Sequence, residues 1–290
     1  MISTNIIKEE KKEVSALSTI VDVYGEVAAE RMRKIRESVL KNREFLSEIE
    51  EIFKDCLAAY SQKKDNLVRT GKIKKGDVVT FLAHNGQTAA VLISANSGFY
   101  GAVIPQTFDQ FLSDVRKGAG EVTIIGKLGR ALFLEQEPNR PYTYFDLPDF
   151  GINNELLAEV IRHLVQYEEI KIYYGKYYSV INQKPTMTEI KAGTSIFGDE
   201  ASKSKDQFIF EPDVETILMF FETQIFASLF DQALEESQLA KFASRIIAMD
   251  TAAVHIKQEI GKLNVALSKV KHLTSAKKQL NTVPSFIYAR

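Results

Sequence analysis

Apolar residues recur at alternating steps of three and four along both ends of this chain, and no other feature limits its fold as much. Near the start they are Val14, Leu17, Val21, Tyr24, Ala28, Met32, Ile35, Val39, Asn42, Leu46, Ile49, Phe53, Cys56 and Tyr60, the spacing of a coiled-coil seam. The repeated step of four from Ala28 to Met32 predicts a stutter, which locally unwinds a left-handed supercoil. Gly25 is the one weak helix former in the run, and Asn42 stands where a polar seam residue sets register. Near the other end, Phe242, Ile246, Met249, Ala253, Ile256, Ile260, Leu263, Leu267 and Val270 repeat the pattern, with no proline between Pro212 and Pro284. At 1.5 Å per residue these segments predict helices of about 70 Å and about 105 Å, too long for a compact domain. Each narrow apolar stripe needs a partner, and the nearest is the other stripe. The expectation is a long antiparallel coiled coil of the two ends; two arms reaching for other chains is the alternative.

The middle has a different period. Asp77 to Ala83, Ala89 to Ala95, Val122 to Gly126, Tyr142 to Asp146, Lys171 to Tyr174, Tyr177 to Gln183 and Gln207 to Glu211 are short β-rich runs bounded by Gly, Pro, Asn or Asp, which predicts strands. Helices are expected over Thr107 to Lys117, Lys127 to Glu137 and Asn154 to Tyr167. The alternation argues for an α/β domain. Tyr173 to Tyr178 reads as the tip of a hairpin, and Lys191 to Lys205 as a loop. The domains are then 1–70, a first coiled-coil helix; 71–211, the α/β domain; and 212–290, a second coiled-coil helix.

Composition narrows the function by exclusion. With 37 Lys and Arg against 38 Asp and Glu, the net charge of −1 gives no general attraction to nucleic acid or anionic lipid. No run of about 18 to 20 apolar residues suggests a direct membrane span, so membrane association is expected through partners. The single cysteine, Cys56, cannot form an internal disulfide and reads as a small buried apolar group. Gly120 to Leu128 fails as a phosphate loop, because five residues separate its glycines and Leu follows the Lys. Ser94 to Gly101 follows an apolar strand but has too few glycines for a dinucleotide fingerprint, and reads as a turn. His84, His163, His255 and His272 show no zinc-ligand spacing; His163 is expected on a helix surface and His255 beside the seam. No catalytic, cofactor-binding or metal constellation emerges.

Charge along the helices is more informative. Arg31, Arg33, Lys34 and Arg36 form a basic block in the first, while Lys257, Lys262, Lys269, Lys271, Lys277 and Lys278 outnumber Glu259 in the last. An antiparallel pair would have basic faces, either merely solvated or turned toward acidic elements of a surrounding structure. Candidate contact residues are Arg31, Arg33, Lys34, Arg36, Lys262, Lys269, Lys271 and His272. The seam itself is built of Val21, Ala28, Ile35, Phe242, Ile246, Met249, Ile256, Ile260, Leu263 and Leu267.

Three segments resemble the gamma subunit of F-type ATP synthases. Val27-Ala-Ala-Glu-Arg-Met-Arg-Lys34 is similar to the family's Val-Ala-Ala-x-Lys-Leu-Arg stretch, and Ser94-Ala-Asn-Ser-Gly-Phe-Tyr-Gly101 to its Ser-Asp-Arg-Gly-Leu-Cys-Gly-Gly loop. Phe208-Ile-Phe-Glu-Pro212, Glu222-Thr-Gln-Ile225 and Ala243-Ser-Arg-Ile-Ile-Ala-Met249 are similar to its Glu-Pro, Glu-x-Gln-Ile-Tyr and Ala-Arg-Met-x-Ala-Met runs. The resemblance implies an α/β fold with a long antiparallel coiled coil of the N- and C-terminal helices plus a Rossmann-like domain. It implies a non-catalytic central-stalk rotor inside a hexameric ring of alpha and beta subunits, with an epsilon-type subunit and a membrane c-ring as further partners. ATP, ADP and Mg would be bound by those partners, with no cofactor of its own. Its place would be peripheral, on the cytoplasmic face of the cell membrane.

The tail departs from the family. Leu267, Ser268, Lys269, Val270, Lys271 and His272 stand where the family has Tyr-Asn-Lys-Ala-Arg-Gln, so a bidentate Arg fork is lost. Ala276 and Lys278 replace a Thr and a Glu. These changes leave open an alternative, a gamma-like shaft of a divergent ATPase that moves no protons.

Overall fold

The computed structural model describes residues 4–69, 85–118, 120–151, 154–191, 211 and 214–287, with side chains of the first helix described to residue 56 and of the last from 216 to 280. The expected strand Asp77–Ala83 lies outside the described residues, as do all but Glu211 of the strand Gln207–Glu211 and all but Lys191 of the loop Lys191–Lys205. Among the described residues ten elements follow in order: α1 (Thr4–Arg69), β1 (Thr88–Ile93), α2 (Val103–Arg116), β2 (Glu121–Ile125), α3 (Lys127–Gln136), β3 (Thr143–Phe145), α4 (Asn154–Leu164), β4 (Glu169–Tyr177), β5 (Gln183–Lys191) and α5 (Val214–Ile287). They divide into two compact units, one of residues 30–244 and one of residues 1–29 with 245–290.

The unit of residues 30–244 holds the sheet, in the order β3-β2-β1-β4-β5. β1 is parallel to β2 and β4, β2 is parallel to β3, and β5 closes the sheet antiparallel to β4. Because successive side chains alternate between faces, β1 feeds two cores. Ala89, Val91 and Ile93 meet Val160 and Leu164 of α4 and Phe226, Phe230 and Leu234 of α5. Ala90 and Leu92 meet Phe108, Phe111 and Val115 of α2 and Phe133 of α3. Both faces are therefore covered, which is why β1 reads as an unbroken apolar run. The two sides together make three layers of doubly wound α/β type.

The expected hairpin is displaced. β4 continues through Tyr173 to Tyr177, with Gly175 opposite Pro185 in the ladder. The turn lies beyond it, closed by the Tyr178 and Ser179 N–H groups donating to the Asn182 carbonyl at 3.2 and 3.1 Å. Gly175 suggested a turn, but it sits in mid-strand. There a Cβ would come within 2.5 Å of Val103, so the glycine marks a close packing contact with the helix layer. His163 is also displaced from the expected helix surface. Its ring packs between Phe145 and Tyr167, at 5.4 and 5.5 Å, and burial lowers its pKa against a smaller opposing pull from Glu121.

The least exposed positions of α1 correct the seam. Leu17 and Tyr24 are exposed, at 52% and 42%; Ser18 and Gly25 are half-buried in their place. The stripe then runs through Val14, Ser18, Val21, Gly25, Ala28, Met32 and Ile35 in strict alternation, and the stutter disappears. Apolar bulk misled the register here, because the buried positions are held by small residues. A Cβ at Gly25 would lie 3.7 Å from the Met249 Cβ, ordinary contact. Gly25→Ala is therefore expected to stabilise the chain by about 0.5–1 kcal/mol through helix propensity, read as a raised urea midpoint with an unchanged slope.

Candidate functional site: the paired terminal helices

Within the unit of residues 30–244, α1 and α5 run antiparallel. As numbers rise on α1 they fall on α5: the Ser38 hydroxyl donates to Glu235, Asn42 to Asp231 at 3.5 Å, and the Phe53 ring meets Phe221 edge-on at 6.4 Å. Ile35, Val39, Leu46, Ile49, Phe53 and Cys56 are the buried stripe of α1. Cys56 packs with Ile49, Phe53, Leu218 and Ile225, and burial, with Asp55 nearby, raises its thiol pKa. On α5 every residue from Ala233 to Ser244 is buried.

That full burial takes in charged groups the sequence reading did not single out. Glu236 accepts from Arg43 at 2.9 Å, Gln232 at 3.2 Å and Tyr174 at 3.4 Å. Burial first, then Glu236, pushes the Tyr174 hydroxyl up to about 12. Asn42 donates to Asp231 and, at 3.4 Å, to Glu235, so one side-chain amide serves two carboxylates one helical turn apart. They line a cavity of about 350 Å³ with Lys34, Ile35, Ser38 and Gln238. The signal lay in the sequence: an i,i+4 carboxylate pair lies on a helix whose partner presents Ser38 and Asn42 at the seam.

Burial first, and Glu235 second, raise Asp231 to about 6. A carboxyl whose folded pKa exceeds its unfolded value of about 3.9 binds its proton more tightly when folded, so its contribution is full below pH 4 and lost as pH rises through 6. Asp231→Asn is expected to flatten the fall in melting temperature between pH 4 and 7, and to raise it by about 2–4 °C at neutral pH. An unchanged pH profile would count against a buried Asp231 held beside Glu235.

The candidate contact residues divide. Arg31 turns inward, its guanidinium 5.2 Å from the Phe150 ring and 5.7 Å from that of Phe242, a pairing that fixes a cation against aromatic faces. Arg33 and Lys34 face solvent and pair with Glu30 at 2.8 and 3.6 Å; Arg36 is exposed. Of the seam residues in this unit, Ile35 and Phe242 are buried.

The unit of residues 1–29 and 245–290 has its own packing. Ala28, Met249 and Leu263 are buried, and Val21, Ile246, Ile256, Ile260 and Leu267 are half-buried. The Arg245 guanidinium lies 5.9 Å from the Tyr24 ring. Lys262 pairs with Glu259 at 2.9 Å. Lys269, Lys271 and His272 are exposed, as is every residue from Lys271 to Leu280. By length and composition α5 could cross a membrane, contrary to the reading of the sequence; the same apolarity is what a helix packed against a sheet and a second helix needs.

The ATP synthase family model matches residues 3–272, taking in the whole of α1, the whole sheet and α5 as far as His272. This chain belongs to the ATP synthase family. Relatives it matches include ATP synthase gamma chains. The ATP synthase gamma chain of Heliobacterium modesticaldum is 23% identical over 289 residues, covering 93% of each sequence. That of Elusimicrobium minutum is 25% identical over 294 residues, again covering 93% of each. Among solved structures, a chain of the Tetrahymena thermophila mitochondrial ATP synthase central stalk and c-ring shares the fold with a TM-score of 0.54 at 17% identity, over 80% of this chain and 99% of that one. A chain of the Euglena gracilis mitochondrial ATP synthase gives 0.53 at 14% identity, over 89% and 94%. Within the family this is a gamma subunit.

Proposed function

We propose that this gamma subunit is a non-catalytic rotor shaft that links nucleotide turnover in a surrounding ring of alpha and beta subunits to proton flow through a membrane c-ring. The observation that supports this most is the reach of the family match, which includes both helix-forming ends as well as the α/β domain. A rotor works by presenting unlike faces to identical neighbours, so that each catalytic site is biased in turn by differential contact. The described surface offers unlike faces: exposed Leu17, Ile20, Val23 and Val27 on α1 are apolar, while Lys257, Lys262, Lys269 and Lys271 on α5 are basic and exposed. Exposed ion pairs are individually weak, about 0 to 1 kcal/mol, which lets such contacts form and release as the shaft turns. Arg33, Lys34, Arg36, Lys262, Lys269, Lys271 and His272 are the proposed ring contacts. Arg31, set against Phe150 and Phe242, positions α1 instead.

On this reading the chain binds no cofactor of its own, and ATP, ADP and Mg belong to the ring. An epsilon-type subunit would grip the α/β domain, and the complex would sit peripherally on the cytoplasmic face of the cell membrane. A second reading, a shaft that drives a machine without proton transport, is favoured by one observation: the family match ends at residue 272, and the tail from Leu267 departs from the family. A native pull-down that recovers ring subunits but no c-ring or epsilon-type subunit would select it.

The tests are direct. The purified chain alone should hydrolyse no ATP and should recover alpha and beta subunits from its host; robust hydrolysis by the isolated chain would overturn the shaft reading. Ile260, half-buried on the α5 stripe, offers a second test. Ile260→Asp places a charge among apolar side chains, a change of several kcal/mol in a packed site. ATPase turnover coupled to rotation should fall in the assembled complex, and unchanged assembly and turnover would count against helix pairing at that height.

A further inference from the structure

The carboxyl end of a central parallel strand is where doubly wound domains gather their ligands, because the loops diverge where the strand order reverses. Here the loop Ser94–Gly101 follows β1, and a carboxylate sits in it. Asp149 accepts from the backbone N–H groups of Asn96 and Ser97, each at 2.9 Å. The Ser97 hydroxyl donates to it at 2.7 Å and the Tyr100 hydroxyl at 3.1 Å. The Lys241 ammonium from α5 lies 3.5 Å from the other oxygen and donates to the Ser94 carbonyl at 2.9 Å. Asp149, Tyr100 and Lys241 are all buried.

Five donors thus converge on two oxygens. Two consecutive N–H groups with a hydroxyl and a cation beside them are the parts of an anion-binding nest. Burial alone would raise the Asp149 pKa; Lys241, the Ser97 hydroxyl and the two N–H groups outweigh it and hold the carboxyl below the usual range. The same loop is pressed against α5 at a second point, where the Ser244 hydroxyl donates to the Tyr100 carbonyl at 2.7 Å. Gly101 makes that approach possible: its φ is +56°, and a Cβ there would come 2.6 Å from the Ser244 hydroxyl oxygen.

We propose that Asn96, Ser97, Tyr100 and Lys241 form a site for a small carboxylate or similar oxyanion, which the chain occupies with its own Asp149 as an internal ligand pinning α5 to the carboxyl end of the sheet. A ligand fold is thereby turned into a socket. The site belongs to the chain alone, so its test does not depend on rotation.

Asp149→Ala removes the carboxylate and leaves room for formate in its place. In the full chain this variant should melt below the parent, and sodium formate should recover most of the loss with a saturable dose response. Sodium chloride at the same ionic strength should not. Formate should leave the parent and the double variant Asp149→Ala/Lys241→Met unmoved. An Asp149→Ala chain that melts like the parent, an equal response to formate and chloride, or an equal formate response without Lys241 would each overturn the proposal. If Asp149→Ala does not fold, carbon-13 NMR of the parent decides: the Asp149 carboxyl should titrate below the ordinary carboxylate range and move upward in Lys241→Met. An ordinary titration in the parent would overturn it.

Discussion

The sheet-bearing unit depends on one helix segment being buried from every side. From Ala233 to Ser244, α5 lies between the sheet and α1: Leu234 joins the sheet core, while Glu235 meets Ser38 and Asn42 and Glu236 meets Arg43. A helix in that position has no solvent face, so its polar residues must find partners inside, because an unpaired buried charge costs far more than a pair returns. This explains why the segment holds so many charged and hydroxyl side chains in ordered contacts. Glu235, Glu236, Lys241 and Ser244 are each committed to a named neighbour.

Charge in this seam sets register more than it adds stability. Apolar stripes tolerate sliding by a turn, whereas Asn42 between two carboxylates and Arg43 on Glu236 are satisfied at one alignment only. The shared amide at Asn42 is an incomplete solution, since two carboxylates compete for one group, while burial and the neighbouring Glu235 raise Asp231. A joint of this kind ties helix alignment to proton activity.

The sequence was most legible where one periodicity ruled. Both long helices, the buried β1 and β2 and the half-buried β3 follow from spacing and β-rich runs, and the family followed from short segments spread along the whole chain. What escaped were positions where bulk and burial part company. Ser18 and Gly25 line α1 in place of the exposed Leu17 and Tyr24, positions that apolar bulk does not mark. Gly175 lies in mid-strand because a helix presses on it, a tertiary cause that no local window contains. Asp149 and Lys241 lie 92 residues apart, and nothing in either neighbourhood marks them as partners. The basic residues were easy to see, yet only the structure separates Arg31, held against two rings, from Arg33 and Lys34 in solvent.

The antiparallel pairing also governs how the molecule must be made. Ser38 and Glu235 are 197 residues apart, so during synthesis the apolar stripe of α1 emerges long before the segment that covers it. Contacts of such separation form late and slowly, and the intervening sheet must close first to bring the ends together. Until then the newborn chain displays a long greasy ridge, a natural substrate for chaperones and a hazard in their absence.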